Sequence, residues 1–334
     1  MTDVFEVLDR FPRAKLISGP TPLERLHRLS THLDIDLWIK RDDLTGLGAG
    51  GNKIRQLEFY FGDALAKGAD TILITGAVQS NYVRAAAAVA AKLGLESVLQ
   101  LESRVPNMGT LYQSSGNVFL SQLLGAEHIY FAEGEDESGA DAALHAKADV
   151  LRAAGKTPYV IPLGLNSKPL GALGYLRAAR EILQQQADFD AVVVASGSGA
   201  THAGLLTGLR ALGATMPVYG ICVRRNAEQQ TARLQTVLSK ISKLLGNANV
   251  PNLGILTRDD ALAPGYGQIS ERVKGALKMM AQYEGLFLDP VYTAKAFAGV
   301  LELLQGGEIQ PGMRVLFIHT GGVPALFAYQ EELD

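Results

Sequence analysis

Short apolar runs alternate with longer segments of helical periodicity along most of this chain. The candidate strands are "DLWIK", "TILIT", "SVLQLE", "HIYFA", "PYVIPL", "AVVVAS", "PVYGICV", "GLFLDP" and "RVLFIHT". The candidate helices between them include "KIRQLEFYFGDALAKG", "SNYVRAAAAVAAKLG", "GYLRAAREILQQQ", "THAGLLTGLRALG" and "SERVKGALKMMAQYEG". Strands that are apolar almost throughout and that alternate with helices are typical of parallel sheets covered by helices on both faces. The pattern therefore predicts an α/β fold.

These units are too numerous for one modest sheet, and no low-complexity linker divides them. We therefore expect two three-layer α/β/α domains with mostly parallel sheets and a cleft between them. Ligands of open α/β sheets bind beyond the carboxyl ends of the strands, where the turns into helices present backbone N–H groups. The turns after the predicted strands are therefore the places to search for chemistry.

Composition and charge exclude several classes of protein. Of the 334 residues, 47% are hydrophobic and 19% charged, and the formal net charge is −3. A near-neutral chain lacks the excess positive charge that is typical of proteins that bind nucleic acid. No segment approaches the roughly 18 apolar residues of a membrane span, and the N-terminus does not resemble a secretory signal. With a single cysteine, Cys222 in "VYGICV", we expect a cytoplasmic protein with no disulfide.

Four of the turns have unusual sequences. "GLGAGGNK", Gly46 to Lys53, precedes a helix, and "TGAVQSNYVR", Thr75 to Arg84, follows the strand "TILIT". "ASGSGATHAG", Ala195 to Gly204, follows "AVVVAS", and "HTGGVPAL", His319 to Leu326, follows "RVLFI". Glycine and small polar residues at such turns allow the backbone to approach a ligand closely.

The third turn has the composition of a phosphate site. Small residues from Gly197 to Ala200 let the backbone curl around an anion, and Thr201 adds a hydroxyl at the start of a helix. The turn is neither a Walker loop nor a dinucleotide fingerprint, so a nicotinamide oxidoreductase is disfavoured. Taken alone, a Gly/Ser-rich turn from a strand to a helix is more often ordinary turn chemistry than a ligand site.

Lys53 completes a possible cofactor site. A lysine at the start of an amphipathic helix is usually solvated, but here "GAGGN" precedes it and allows close approach of another group. A lysine able to form a Schiff base, together with a site for one phosphate, suggests pyridoxal phosphate.

The motifs together resemble one enzyme family along nearly the whole chain. "KRDDLTGLGAGGNKIRQLEF", "GAVQSNYVR", "VVVASGSGATHAGL", "APGYG", "EGLFLDPVYTAKAFAG" and "FIHTGGVPALFAY" occur in consistent order. They are similar to motifs of the D-cysteine desulfhydrase, L-cysteate sulfo-lyase and 1-aminocyclopropane-1-carboxylate deaminase family. These are pyridoxal-phosphate enzymes of fold type II, the fold of the tryptophan-synthase β-subunit.

The resemblance implies how the cofactor is held. Lys53, beside Asn52, would bind the cofactor covalently, and Asn81 would hydrogen-bond its phenolic oxygen. Thr320 would face the pyridine nitrogen with a neutral hydroxyl, which favours elimination over transamination. The phosphate would be bound by the turn that contains Gly197, Ser198, Gly199, Ala200 and Thr201.

The resemblance also implies the substrate contacts. Ser80, Asn81 and Tyr82 would lie where the family grips its substrate. Tyr266 in "APGYG" and Tyr292 in "DPVY" look like the family's active-site tyrosines, although each alone is equally typical of a core aromatic residue. The predicted catalytic set is Lys53, Ser80, Tyr266 and Tyr292, and the prediction includes no metal site.

The implied reaction is β-elimination on an amino acid, giving pyruvate and ammonia. Cyclopropane deaminases typically carry Glu and Leu at the positions of Thr293 and Thr320, so that reaction is disfavoured here. Desulfhydrases usually carry His at the position of Tyr82, which leaves the β-substituent open. D-cysteine, which would also release sulfide, is the favoured substrate, and L-cysteate, which would release sulfite, is the alternative.

Further expectations follow from the resemblance alone. Residues 1–53 and 166–334 would form a large cofactor-binding domain, and residues 54–165 a small mobile domain that closes on the substrate. The protein would be a homodimer whose only other partner is a small amino acid. A chain that carries pyridoxal phosphate without catalysing a reaction is the alternative from another class.

Overall fold

The computed structural model describes residues 3–165, 167–247 and 254–333. Its strands are short and mostly follow a helix in the chain. They are β1 (Leu23–Arg25), β2 (Asp36–Arg41), β3 (Thr71–Ala77), β4 (Glu96–Glu102), β5 (Glu127–Phe131), β6 (Pro158–Ile161), β7 (Ala191–Ser196), β8 (Val218–Cys222), β9 (Leu256–Arg258) and β10 (Arg314–His319).

The helices vary from one turn to five turns. They are α1 (Val4–Leu8), α2 (His27–Leu33), α3 (Lys53–Ala66), α4 (Asn81–Leu93), α5 (Thr110–Ser114), α6 (Gly116–Leu123), α7 (Glu137–Ala153), α8 (Leu170–Gln185), α9 (Ala200–Ala211), α10 (Ala227–Leu244), α11 (Glu271–Glu284), α12 (Thr293–Gln305), α13 (Pro324–Ala328) and α14 (Gln330–Leu333). Two short 3-10 turns, Asp42–Leu44 and Leu47–Ala49, lie between β2 and α3.

The strands form two sheets. A six-stranded sheet has the order β1-β2-β10-β7-β8-β9, and a four-stranded sheet has the order β5-β4-β3-β6. Every pairing is parallel except that of the edge strand β1 with β2. Because parallel strands end at the same edge of a sheet, the turns after β2, β7 and β10 are brought together.

Helices cover both faces of each sheet, which explains the continuous apolar strands. Apolar residues of α2, α11 and α12 pack with one face of the large sheet, and those of α8 and α9 pack with the other. On the small sheet, Leu73 and Val98 pack against α7, while the opposite face packs against α3 and α4. The predicted α/β fold with mostly parallel sheets is confirmed.

One predicted strand is wrong. The run "GLFLDP", residues 285–290, has no strand pairing, although Leu288 is buried. Phe287 of this run is exposed and Leu286 is half-buried, while Asp289 accepts hydrogen bonds from three amides at the start of α12. A short apolar run does not by itself distinguish a strand from such a buried connection.

All four strands of the small sheet lie between residues 71 and 161. The boundary expected at residue 166 falls on a residue outside the described ranges, and the division into a fixed and a mobile domain stays a prediction. Within residues 3–165, 167–247 and 254–333, no helix is both long enough and apolar enough to cross a membrane.

Candidate active site

The residues predicted from the four turns converge on one cleft, lined by residues of both sheets, with an empty volume of about 880 Å³. Its walls include Asn52, Lys53, Ser80, Asn81, Tyr82, Gly197, Ser198, Gly199, Thr201, Tyr266, Tyr292 and Thr320. Ala200 is the exception among the predicted site residues, because it lines a neighbouring cavity that shares Ser198.

Lys53 begins α3 at the base of this cleft. Its Nζ lies 5.2 Å from the centroid of the Tyr82 ring, and no carboxylate of the described residues forms an ion pair with it. Removal of water from the amine lowers the pKa of Lys53 from 10.5 to about 8. A substantial fraction of the amine is therefore neutral near physiological pH, as a nucleophile or a base requires.

The glycines before Lys53 are required by contacts with protein. Gly48 has φ +55°, and a Cβ there would lie 2.3 Å from the Cβ of Ala88 on α4. Gly50 has φ +62°, and a Cβ there would lie 1.9 Å from the carbonyl oxygen of Asp43. The loop therefore packs closely between α4 and the residues that follow β2. This packing fixes the position at which α3 begins.

Arg55 anchors the first turn of α3 in a buried ion network that the sequence analysis missed. Its guanidinium binds both oxygens of Asp42, at 3.0 and 2.8 Å, and both oxygens of Glu181, at 2.9 and 2.8 Å. Tyr175 also donates to Asp42, at 2.5 Å. Because Arg55 lies two residues after Lys53 in the same helical turn, the network holds the lysine backbone in place.

The residues Ser80, Asn81 and Tyr82 lie at the amino end of α4. The Ser80 hydroxyl oxygen accepts hydrogen bonds from the amides of Tyr82 and Val83, at 3.2 and 3.4 Å, which leaves its own O–H free to donate. The phenol of Tyr82 is buried against Lys53, and burial raises the pKa of Tyr82 well above 10. These three side chains therefore form one wall of the cleft.

The turn from Gly197 to Thr201 joins β7 to α9. Gly199 is the N-cap residue of α9 with φ +96°, and no side chain caps the helix, so its first amides keep free N–H groups. The Thr201 hydroxyl oxygen accepts from Asn52 at 2.9 Å and from Gln56 at 2.7 Å. Its own O–H is thus left to donate. Gln56, which lies one helical turn after Asn52, was not among the predicted site residues.

Tyr266 and Tyr292 contact each other in the wall of the cleft. Their hydroxyl oxygens are 2.7 Å apart, and the rings meet edge to face with centroids 6.1 Å apart. Burial raises the pKa of both phenols. The pair is therefore protonated at neutral pH, with one hydrogen shared between the oxygens and the other available to a ligand.

Thr320 follows β10 and is buried at the edge of the cleft. Its carbonyl oxygen accepts a hydrogen bond from the amide of Asn52 at 3.0 Å. The turn after β10 is thereby joined to the residue before Lys53, so the threonine and the lysine have a defined separation.

The cleft wall also contains a group of arginines that was not predicted from the sequence: Arg104, Arg224, Arg225 and Arg233. The last three bind Glu137 of α7, at 2.8, 2.5 and 3.1 Å, and these bonds connect the α7 and α10 regions across the mouth. Their positive charge holds the pKa of Glu137 below its usual value, against the opposing effect of burial. Arg104 lies far in sequence from the other three, so only the fold reveals that all four line the same cleft.

Comparisons with known proteins agree with this geometry. The sequence profile described as "Pyridoxal-phosphate dependent enzyme" matches residues 14–321, which is most of the chain. The chain belongs to this family. The predicted family, cofactor and fold type are therefore confirmed.

Individual relatives cover the full length. A D-cysteine desulfhydrase of Klebsiella pneumoniae subsp. pneumoniae is 45% identical over 332 residues, covering 98% of both chains. A D-cysteine desulfhydrase of Yersinia enterocolitica is 44% identical over 329 residues, again with 98% of both chains covered. The solved structure of an "ACC deaminase homologue" superposes with a TM-score of 0.89 at 38% identity, covering 100% of this chain and 98% of the other.

The residues of the cleft fit pyridoxal phosphate. An aldehyde requires a partly neutral amine, which Lys53 has. A phosphate requires several convergent donors, and the uncapped end of α9 and the Thr201 O–H supply them. Between the lysine and the phosphate site, the neutral hydroxyl of Thr320 and the side-chain amide of Asn81 provide polar groups that can bind the cofactor ring.

Proposed function

We propose that this chain is a D-cysteine desulfhydrase, which converts D-cysteine and water to pyruvate, sulfide and ammonia. The observation that carries the proposal is the similarity to desulfhydrases over 98% of both chains, together with a cleft whose lining contains each predicted catalytic side chain. Bound pyridoxal phosphate would supply the electron-withdrawing system that accepts charge from the substrate's α-carbon. The protein's own residues do the remaining work.

Lys53 would hold the cofactor and then remove the α-proton of the substrate. With a pKa of about 8, the amine is a base strong enough to accept the proton and is still partly neutral at pH 7. Tyr82, packed against the lysine side, would restrict the directions in which the amine can point.

The opposite end of the cofactor would be held by the β7–α9 turn. The amides from Gly197 to Thr201 would donate to the phosphate, and Thr201, whose oxygen is occupied by Asn52 and Gln56, would add its O–H. Asn52 thus would link the phosphate site to the neighbouring Lys53, and both ends of the cofactor would have a defined separation.

The substrate would lie between α4 and the tyrosine pair. The Ser80 O–H and the amino end of α4 would bind its carboxylate. The protonated pair Tyr266–Tyr292 would donate a proton to the departing sulfur, since a phenol with a raised pKa is a donor and not an anion at neutral pH. Thr320 would face the ring nitrogen without supplying a charge, which favours elimination.

L-Cysteate is a second candidate substrate, because the four arginines of the cleft wall favour an anionic β-substituent. Among the described residues, these arginines form ion pairs with Glu137, Glu102 and the exposed Glu135. Opening of the cyclopropane ring has less support. Thr293, the position at which deaminases carry Glu, is fully buried and bonded to Asp289 at 2.7 Å.

We also infer that residues 54–165 move as a small domain, and that two copies of the chain form a homodimer. The ion pairs between Glu137 and the arginines would hold the domain closed. Small-angle scattering with and without substrate would test the closure, and sedimentation equilibrium would test the dimer.

An assay of the purified protein with pyridoxal phosphate tests the proposal. D-cysteine, L-cysteine, D- and L-cysteate and the cyclopropane amino acid are compared, and pyruvate, sulfide and sulfite are measured separately. We expect sulfide from D-cysteine at the highest kcat/KM. Higher kcat/KM for cysteate, with sulfite, would favour the second candidate, and no turnover of any substrate would favour a carrier of the cofactor.

Two variants make the assay specific for the site. Lys53→Ala is expected to lose the absorbance of the bound cofactor and nearly all turnover. Lys67→Ala, which changes an exposed lysine just after the same helix, is expected to keep both. Retention of turnover in Lys53→Ala would contradict the proposed role of the lysine.

A further inference from the structure

Arg84 is a buried cation with no acidic partner among the residues that the structure describes. It lies on α4 with 1% of its surface exposed, and its guanidinium donates to the carbonyl oxygens of Gly48 and Gly50 and to the side chain of Asn117. One terminal nitrogen, Nη2, has no hydrogen-bond partner. Because burying an unpaired charge is unfavourable, its presence beside the cleft requires a reason.

A directed chain of hydrogen bonds leads from Arg84 to the cleft. Nε of Arg84 lies 3.1 Å from Oδ1 of Asn117, and Nδ2 of Asn117 lies 2.8 Å from Oδ1 of Asn81. Nδ2 of Asn117 also donates to the carbonyl oxygen of Gln79, at 3.1 Å. Asn81 lies next to Ser80 at the start of α4 and lines the cleft.

The direction of these hydrogen bonds is fixed by which groups can donate and which can accept. A guanidinium donates hydrogen bonds and never accepts them. Asn117 must therefore turn its oxygen to Arg84 and its NH₂ group away, and the carbonyl oxygen of Gln79 requires the same orientation. The atom of Asn81 that faces Asn117 is then an oxygen, so the NH₂ group of Asn81 remains for the cleft.

We propose that Arg84 is a positioning residue that acts through Asn117 to present the amide of Asn81 to the cleft as a donor, which selects an acceptor oxygen on the cofactor ring. In the placement proposed above, that acceptor is the phenolic oxygen. If the amide of Asn81 were reversed, its side-chain oxygen would face the phenolic oxygen, and no hydrogen bond would form between these two acceptors. The inference rests on that placement of the ring and does not depend on which amino acid is the substrate.

The second arm of Arg84 reaches the loop before Lys53. Its Nη1 donates to the carbonyl oxygen of Gly48 and, at 3.1 Å, to that of Gly50. These are two of the glycines whose positive φ lets the loop lie against α4. One guanidinium therefore holds both the loop that ends at Lys53 and the amide of Asn81.

Asn117→Asp tests the proposal with little change in shape. A carboxylate at this position accepts from Arg84 as an ion pair, which offsets the lost hydrogen bond to the carbonyl oxygen of Gln79, so the variant is expected to fold. It also accepts from Asn81, which must then turn its NH₂ group toward Asp at position 117 and its oxygen toward the cleft. Asn107→Asp, the same chemical change at an exposed position, is the matched control.

The measurement is the affinity of the apoproteins for two probes without substrate, pyridoxal phosphate and its analogue that lacks the phenolic oxygen. We expect the wild type and Asn107→Asp to bind pyridoxal phosphate roughly 10- to 100-fold more tightly than the analogue. In Asn117→Asp this preference is expected to disappear, with the affinity for the analogue changed little. Arg84→Met, which removes one of the two contacts that orient Asn117 and leaves the one to the carbonyl oxygen of Gln79, is expected to reduce the preference and to shift the pH dependence of the bound cofactor's absorbance.

Two results would overturn the inference in distinguishable ways. An undiminished preference in both Asn117→Asp and Arg84→Met would show that Arg84 does not orient Asn81, while the proposed cofactor placement would stand. Equal binding of the two probes by the wild type would overturn the contact between Asn81 and the phenolic oxygen as well. Neither result bears on the D-cysteine assay, whose failure would be seen separately.

Discussion

Arg233 donates a hydrogen bond from Nε to the carbonyl oxygen of Ser198, at 2.9 Å, in the β7–α9 turn. In a trans peptide the carbonyl and the following N–H point in opposite directions. The N–H of Gly199 is therefore turned away from the guanidinium and is left for another acceptor. The same guanidinium also binds Glu137 at 3.1 Å, so the turn is connected to α7.

Arg233→Met is expected to weaken binding of pyridoxal phosphate by about tenfold, because the Ser198–Gly199 peptide loses a charged donor. Pyridoxal, which lacks the phosphate, is expected to bind with unchanged affinity. Equilibrium dialysis of the two compounds with the apoprotein measures both values.

Arg210→Met is the matched control for this prediction. Arg210 also donates to backbone carbonyl oxygens, those of Ala214 and Met216, but at the other end of α9. Equal losses of affinity in the two variants would show a general loss of stability and would contradict a specific effect on the turn.

Lys53 is expected to destabilise the folded apoprotein at neutral pH. Its pKa is about 8 in the folded state and 10.5 in the unfolded chain, so the unfolded chain binds more protons between these values. The unfavourable contribution is complete below pH 8 and is relieved as the pH rises toward 10.5. Lys53→Met should therefore be more stable than the wild type at pH 7, by an amount that decreases over this interval.

Urea unfolding of both apoproteins from pH 7 to pH 10.5 checks this expectation. A difference in the free energy of unfolding that does not change with pH would mean that Lys53 has an ordinary pKa. Its role as a base near neutral pH would then need another source.

Gly48→Ala is expected to destabilise the apoprotein by about 2–4 kcal/mol, because it combines an unfavourable φ with a collision against Ala88. Gly94→Ala places a methyl group in the same left-handed region, with φ +71° and ψ 28°, and open space surrounds it. That control is expected to cost only about 1–2 kcal/mol. Equal losses in urea unfolding would show that the contact with α4 does not matter.

Tyr292→Phe and Tyr266→Phe are each expected to lower kcat by about 100-fold, because either change breaks the proton-donating pair. KM should change little, since both rings remain in the cleft wall. If the phenols act as a unit, the double variant loses little more than either single variant. Independent, multiplicative losses in steady-state kinetics would contradict a shared hydrogen.

Much of the fold and the centre of the site could be predicted because local patterns carry them. Apolar strands alternating with helices indicate parallel sheets, and parallel sheets bring the turns after their strands to one edge. The motifs around Lys53, Asn81, Gly197 and Thr320 could therefore be assigned to one cleft before any contact was known. The wrong strand at residues 285–290 shows the limit of this reasoning, since a short apolar run that includes the exposed Phe287 pairs with no other strand.

The sequence by itself determined the fold class, the family and most of the predicted residues that line the cleft. Only the tertiary structure decided how those residues are held: Gln56 on Thr201, Arg233 behind Ser198, and Arg84 acting through Asn117 on Asn81. Helical periodicity predicts whether a side chain is buried, but the direction of a hydrogen bond depends on which atom of a distant segment lies opposite. That partner is chosen by the packing of α3, α4, α6 and α10, which no local pattern specifies.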